Sequence, residues 1–386
     1  MVVPVRTVTL SIAHQTTRFG TAYVVGLAGG PVGNVTFEYV HIDEARAEPA
    51  VLDGFVLGFL LYAAEHADRL VVEGPVTAAA IRNASLLTET WNAWIPDRFR
   101  RFEIEPERTI SDAECLDIAQ RNGRPGRSIA AFSGGVDSLF TALRHGPASD
   151  LPGRFDVTDV VIAHGFDIGS HDQRSFDELV ERTDPFLDSV GVRRHLVRTD
   201  VRRRVDGNEL LHWEHAFGAY LASVLHLFSD EFGFGLIGSG EPVTKHVFPW
   251  GSTPMTDHLL SGGLMSIVHD GAAYGRTDKV ERIARHDIAT AVAKVCWEGT
   301  DAGRNCGRCE KCVRTRLNFR AVGVNDPACF DEAFDDSMID TLVTRNQIQL
   351  NELTAIVDRC THHGIAEPWV DRLRSRVAFL ASVGAE

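Results

Sequence analysis

The pattern of apolar and polar positions over residues 6–42 breaks into three strand-like runs, at 7–12, 21–27 and 35–42. The turn signals Arg18-Phe19-Gly20 and Gly29-Gly30-Pro31 separate them, and a meander is the simplest arrangement. Residues 49–68 then read as a largely buried helix, 69–72 as a strand, 77–94 as a second helix and 99–104 as another strand. This set is expected to close a self-contained α+β domain over residues 1–110, with Trp91, Trp94 and Tyr62 in its core. A helix over 111–119 and the turn-rich stretch 121–127 follow. From there, short apolar strands at 129–132, 159–164, 195–199 and 234–237 alternate with helical patterns at 175–190 and 211–228. Such alternation predicts a doubly wound, mostly parallel α/β sheet over 111–328. Beyond Gly323 the pattern is helical, with candidates at 337–346, 347–360 and 369–383, and residues 329–386 are expected to be a helical extension used for packing.

In a doubly wound sheet, ligands bind beyond the carboxyl ends of the strands. Three polar loops leave those ends, at 133–138, 164–171 and 238–257, and they are expected to converge. The first reads Ser133-Gly134-Gly135-Val136-Asp137-Ser138 between a strand and a helix. Two glycines let backbone approach an anion closely, and a helix N-terminus favours negative charge, so a phosphate chain is the expected guest. It is neither a Walker loop nor a dinucleotide fingerprint. A carboxylate inside such a loop would repel phosphate without an intervening cation, so Asp137 implies magnesium. The bland alternative is a Gly-Gly turn with an acidic cap. The 238–257 loop carries Lys245 and His246 and is expected to face the substrate, since long structural loops are uncommon.

Charge narrows the partners. Asp and Glu number 53 against 39 Lys and Arg, a formal net charge of −14, which argues against a broad nucleic-acid footprint. The basic runs at Arg193-Arg194 and Arg202-Arg203-Arg204 read as a solvated edge or a small anion contact. The first residues lack the order of a secretory signal, and the longest apolar stretch, 55–64, is too short to span a bilayer, so a soluble cytoplasmic protein is expected. Of seven cysteines, Cys306, Cys309 and Cys312 are spaced by two residues, and Cys296 lies upstream. Four thiolates close a tetrahedral zinc site with no open position, hence a structural zinc tying the segment before Cys296 to a helix starting near Cys309. An iron–sulfur cluster could use the same ligands. Cys115, Cys329 and Cys360 read as small buried apolar residues.

The hexamer matches the Ser-Gly-Gly-x-Asp-Ser signature of the PP-loop ATP pyrophosphatases. The cysteine segment, followed by Phe319, Gly323 and Asp326-Pro327, resembles the C-terminal end of 7-cyano-7-deazaguanine synthases, as does Asp278-Lys279-Val280-Glu281-Arg282-Ile283. The resemblance covers roughly residues 127–328; Thr315, between Arg314 and Arg316, stands where that family usually has arginine. It implies a PP-loop fold that binds ATP and activates a carboxylate. Ser133, Gly134, Gly135, Val136 and Ser138 would cradle the pyrophosphate, with Asp137 holding magnesium and Lys279 and Lys245 or His246 balancing phosphate charge. AMP would make the carboxylate oxygen a good leaving group, ammonia would give an amide, and a second ATP a nitrile. The added segments imply an enlarged relative, of the sort found in bacterial modification or defence systems. Its expected partner is a deazapurine-like carboxylate or a carboxylate on a protein, with a homodimer left open. The alternatives are a thiolation enzyme acting on tRNA or a metabolite, and a non-catalytic ATP-binding module.

Overall fold

The computed structural model describes residues 6–383 other than 18–19, 32, 43, 123–125, 206–207, 246–247, 297 and 299–301. His246 and parts of the turns expected at 18–20 and 121–127 lie outside the described residues. The first elements are β1 (Thr7–Thr17), β2 (Gly20–Gly30), β3 (Gly33–His41), α1 (Asp53–His66), β4 (Arg69–Thr77), α2 (Ala78–Trp94) and β5 (Glu103–Ile110). Next come α3 (Asp112–Arg121), β6 (Arg127–Ala131), α4 (Val136–His145), β7 (Asp156–His164), α5 (Gln173–Val190) and β8 (Arg193–Thr199). A short hairpin of β9 (Arg204–Val205) and β10 (Asn208–Glu209) precedes α6 (Trp213–His226), β11 (Phe234–Gly238) and β12 (Ser266–Asp270). The remaining helices are α7 (Arg276–Ile283), α8 (Asp287–Val292), α9 (Glu310–Arg320), α10 (Gln347–His362) and α11 (Pro368–Val383).

One ten-stranded sheet runs through the molecule in the order β12-β11-β6-β7-β8-β3-β2-β1-β4-β5. The five strands from β12 to β8 are parallel, β1 to β3 form the expected antiparallel meander, and β4 and β5 extend parallel to β1. The fold is thus mixed α/β with a large, mostly parallel central sheet. Strand order reverses between β6 and β11, and the loops leaving these two strands therefore meet at the switch point, where open α/β sheets bind ligands.

Residues 1–110, set apart in the sequence reading, add their strands to this sheet. Antiparallel pairing of β3 with β8, in register Tyr39 with Thr199 and His41 with Val197, makes the join. The hydrophobic core crosses it too: Leu10, Phe37 and Leu60 belong to one buried cluster with Ile129, Tyr220 and Ile267. Helix α1 is buried over nearly its whole length, so it needs apolar residues all round rather than one stripe. Gly54 and Gly58 let it approach α6; a Cβ at Gly54 would lie 2.4 Å from the His226 Cβ, and one at Gly58 2.9 Å from the Ser223 Cβ.

Polar contacts weld the same junction. Buried Asp53 accepts hydrogen bonds from Thr77 N–H (2.8 Å), Thr77 Oγ1 (2.7 Å) and Gly263 N–H (3.0 Å). His195 bridges Glu44 (3.0 Å) on one side of the join and Asp159 (2.9 Å) on the other. Among the described residues no helix is long and apolar enough to cross a membrane.

Candidate functional site at the strand-order switch

The loop after β6 is shaped by its glycines and tied by its serines. Gly134 has φ +71°, and a Cβ there would press within 3.0 Å of the Thr183 methyl carbon, so both backbone and space call for glycine. The Ser133 Oγ accepts from Gly135 N–H at 3.3 Å, and the Ser138 Oγ donates to the Gly135 carbonyl at 3.1 Å. Gly135 is the N-cap of α4 and offers no side chain to its first turn. The positive end of that helix therefore opens on the loop. Gly238, at the end of β11, lies against the Asp137 backbone, where a Cβ would meet the carbonyl oxygen at 3.0 Å.

Asp137 does not stand alone. Its Oδ1 accepts from Lys279 Nζ at 2.9 Å, and its Oδ2 pairs with Arg276 at 3.1 Å. Both cations project from the same face of α7, three residues apart. Lys279 is fully buried and also donates to the Ser239 carbonyl. Burial would push the Asp137 carboxyl upward, but Arg276 and then Lys279 outweigh it and hold the group below the usual aspartate range. Lys279, expected to balance phosphate, is thus already engaged with a carboxylate of the chain.

Further charges surround this pair. Arg276 Nε donates to Glu352 of α10 at 3.1 Å, and Arg314 of α9 pairs with both Glu310 and Glu352. Glu241 is buried next to them; desolvation raises its pKa despite the opposing fields of Arg276 and Arg314. Desolvation, helped by the fields of Arg276 and Arg314, outweighs those of Asp167, from the loop after β7, and Asp137, and brings the Lys311 ammonium down to about 8. Arg276, Glu241, Arg314 and Glu352 were not singled out from the sequence. Arg276 could have been found as the i−3 neighbour of Lys279. Glu352 carries no local signal, because only the fold brings α10 to α7.

The four cysteines do converge: the Sγ atoms of Cys296, Cys306, Cys309 and Cys312 all lie within 4.8 Å of one another. Cys296 and Cys309 are 3.7 Å apart and Cys306 and Cys312 3.9 Å, close to the roughly 3.8 Å edge of a tetrahedron with 2.3 Å metal–sulfur bonds. The donor set and its size suit a metal ion such as zinc. Gly307, at φ +75°, makes the turn, and the Cys309 N–H donates to the Cys306 sulfur at 3.3 Å. Asn305 fixes the segment that carries Cys296. Its amide oxygen accepts from Val295 and Cys296 N–H (2.8 and 3.2 Å), and its NH2 donates to Ala293 and Cys329 carbonyls (2.8 and 3.0 Å). The site is also joined to the glycine loop. Lys294 N–H donates to the Gly134 carbonyl at 2.8 Å, while its ammonium donates to the Cys296 carbonyl. Cys115, Cys329 and Cys360 are buried, as expected of small apolar residues.

The other expected participants have these surroundings. Lys245 ends a 3-10 turn, Val243–Lys245, and its side chain is exposed. The far part of the 238–257 loop packs on α6 instead, through Gly251 N–H to the Glu214 carbonyl (2.7 Å), and closes on Asp257, which accepts from Ser252 and Thr253. His164 is bonded to the Gly169 carbonyl (2.9 Å) and stacked on Phe176, a structural use. The basic runs form ion pairs within the chain, Arg193 on Asp159, Arg194 on Asp184 and Arg203 on Asp200, while Arg193 and Arg203 stay exposed, as a solvated edge would. A groove of about 340 Å3 beside β5, lined by Ile81, Phe102 and Ile104, sits at the far edge of the sheet from these charges. Comparison with known proteins finds no family model, no curated protein and no solved structure that matches this chain.

Proposed function

We propose that the chain is an ATP-dependent ligase of the PP-loop type that activates a carboxylate by transfer of AMP, releases pyrophosphate, and joins the activated acyl group to nitrogen. The observation that carries this reading is one juxtaposition. At the point where strand order reverses, an uncapped helix N-terminus meets Arg276 and Lys279 across a glycine loop. Backbone N–H groups and the Ser133 and Ser138 hydroxyls are suited to hold the β- and γ-phosphates. Magnesium needs only one or two protein carboxylates when it arrives with phosphates, and Asp137 is the carboxylate in place; the ion would supply charge neutralisation at the phosphates. Asp137 would hold the ion, and Arg276 and Lys279, beside it, would offer positive charge to the leaving pyrophosphate. The four-cysteine site, read as structural zinc, holds Lys294 and through it Gly134.

The resemblance to 7-cyano-7-deazaguanine synthases favours a deazapurine acid, or a carboxylate carried by a protein, as the acceptor of AMP. The test is pyrophosphate release from magnesium-ATP with a panel of carboxylates that includes 7-carboxy-7-deazaguanine. Carboxylate-dependent pyrophosphate is the expected product, abolished by Asp137→Ala. Release of phosphate alone, or full activity in the variant, would sink the proposal.

A further inference from the structure

Helix α10 belongs to the C-terminal segment, read from sequence as packing only, yet it lies along α7, the helix that supplies Arg276 and Lys279. It touches α7 at two places: Glu352 accepts from Arg276 Nε at 3.1 Å, and Arg359 pairs with Asp278 (3.4 Å) and Glu281. It touches α9 as well, where Gln349 donates to Glu310 at 3.2 Å and Glu352 meets Arg314. The Glu352 side chain is 4% exposed, Arg314 8% and Arg276 15%, so the three ions are held in a largely dry environment. Arg276 uses Nε on Glu352 and its NH1 on Asp137, 3.1 Å from each. A guanidinium gripped at one end presents its other end at a fixed angle.

We propose that Glu352 is a positioning residue of the nucleotide site: it fixes Arg276 and Arg314 beside Asp137, making α10 part of the surface that binds a nucleoside triphosphate. The inference rests on the phosphate-site reading of the 133–138 loop and adds to it a function for the C-terminal helices. It also has a diagnostic sign. Removing a carboxylate near an anion site raises the local positive potential, so charge alone predicts tighter nucleotide binding. Positioning predicts the reverse.

The experiment is calorimetric titration of the full chain with the α,β-methylene analogue of ATP and magnesium. Glu352→Ala should weaken binding about tenfold or more, the weight of a charge-assisted hydrogen bond. Glu352→Gln, whose amide oxygen still accepts from Arg276 Nε, should lose less. Asp340→Asn, which breaks the exposed Asp340–Arg372 pair in the same C-terminal segment, should bind as the parent chain does. Hydrogen exchange over 347–362 should slow when the analogue binds the parent chain, because a helix that contributes to binding is stabilised by it in turn. Equal or tighter binding by folded Glu352→Ala, or equal weakening by Asp340→Asn, overturns the proposal while leaving the phosphate site standing. If Glu352→Ala does not fold, Glu352→Gln and the exchange protection decide by the same criteria. No binding by the parent chain would instead overturn the phosphate-site reading, and this inference with it.

Discussion

Replacing Lys279 by Met keeps most of the buried stem and removes only the ammonium, which makes it the most direct probe of the charge cluster. The lysine side chain is 1% exposed and sits 2.9 Å from the Asp137 carboxylate. At that separation and an effective dielectric near 20, the attraction is roughly 6 kcal/mol, most of it offset by the cost of drying the ammonium. Breaking a fully buried pair by removing one partner costs about 3–5 kcal/mol. Here Asp137 keeps Arg276 and is itself 23% exposed, so about 2–3 kcal/mol is the expected loss. Guanidinium unfolding at neutral pH measures it, with Asp137→Asn and the double variant completing a thermodynamic cycle. The coupling has a pH signature. Asp137 is held below its ordinary pKa, so it contributes stability above the unfolded aspartate range and loses it as pH falls through the folded value. Lys279→Met should shrink that acid limb. A loss below about 0.5 kcal/mol, with Lys279 and Asp137 additive, would refute the claim that this pair is structurally coupled.

At the join between the two halves of the sheet, Gly54→Val should cost about 1–3 kcal/mol by forcing α1 from α6, and an unchanged melting temperature would contradict the close approach of these helices. Residues 111–386 expressed without the N-terminal segment should be insoluble or unfolded, since they lose β3 beside β8 and half of a shared core; a soluble chain with a cooperative transition would show the opposite. Elemental analysis should find about one metal ion per chain. Chelation should then lower the melting temperature and speed amide exchange at 133–138 through the Lys294–Gly134 bond, whereas unaltered exchange would uncouple the two sites. Finally, burial lowers the His195 pKa, but its bonds to Asp159 and Glu44 raise it above the ordinary value. Its contribution is complete below about pH 6.5 and fades as pH rises through the folded pKa. Urea midpoints between about pH 6 and 9 should therefore fall less steeply in His195→Gln than in the parent chain, and parallel slopes would exclude the effect.

The elements that were legible are those whose signals are local. The β1–β3 meander, the strands β6, β7, β8 and β11, and helices α5, α6, α10 and α11 follow from apolar runs and periodicity, with boundaries shifted by a few residues. The segment expected as a helix at 337–346 is a shorter 3-10 stretch, Asp336–Thr341. Strand β12, five residues between Gly262-Gly263 and Gly271, was not read from the sequence although turn signals flank it. The cysteine cluster was legible because ligand spacing is itself a local property. The ion pairs were not: Arg276 and Glu352, or His195 and Glu44, are far apart in sequence, and no local spacing links one partner to the other.

By itself, then, the sequence determined a glycine loop between a strand and a helix, an alternation that builds a parallel sheet, and four thiols at metal-binding spacing. Those are consequences of backbone geometry within a few residues. Only the tertiary structure decided that β6 and β11 are neighbours, which puts Asp137 beneath Arg276 and Lys279. It alone also decided that β3 pairs with β8, and that a C-terminal helix closes the charge cluster. The reason is physical: strand order and buried ion pairs depend on which apolar faces cover one another, and that is a property of the whole chain.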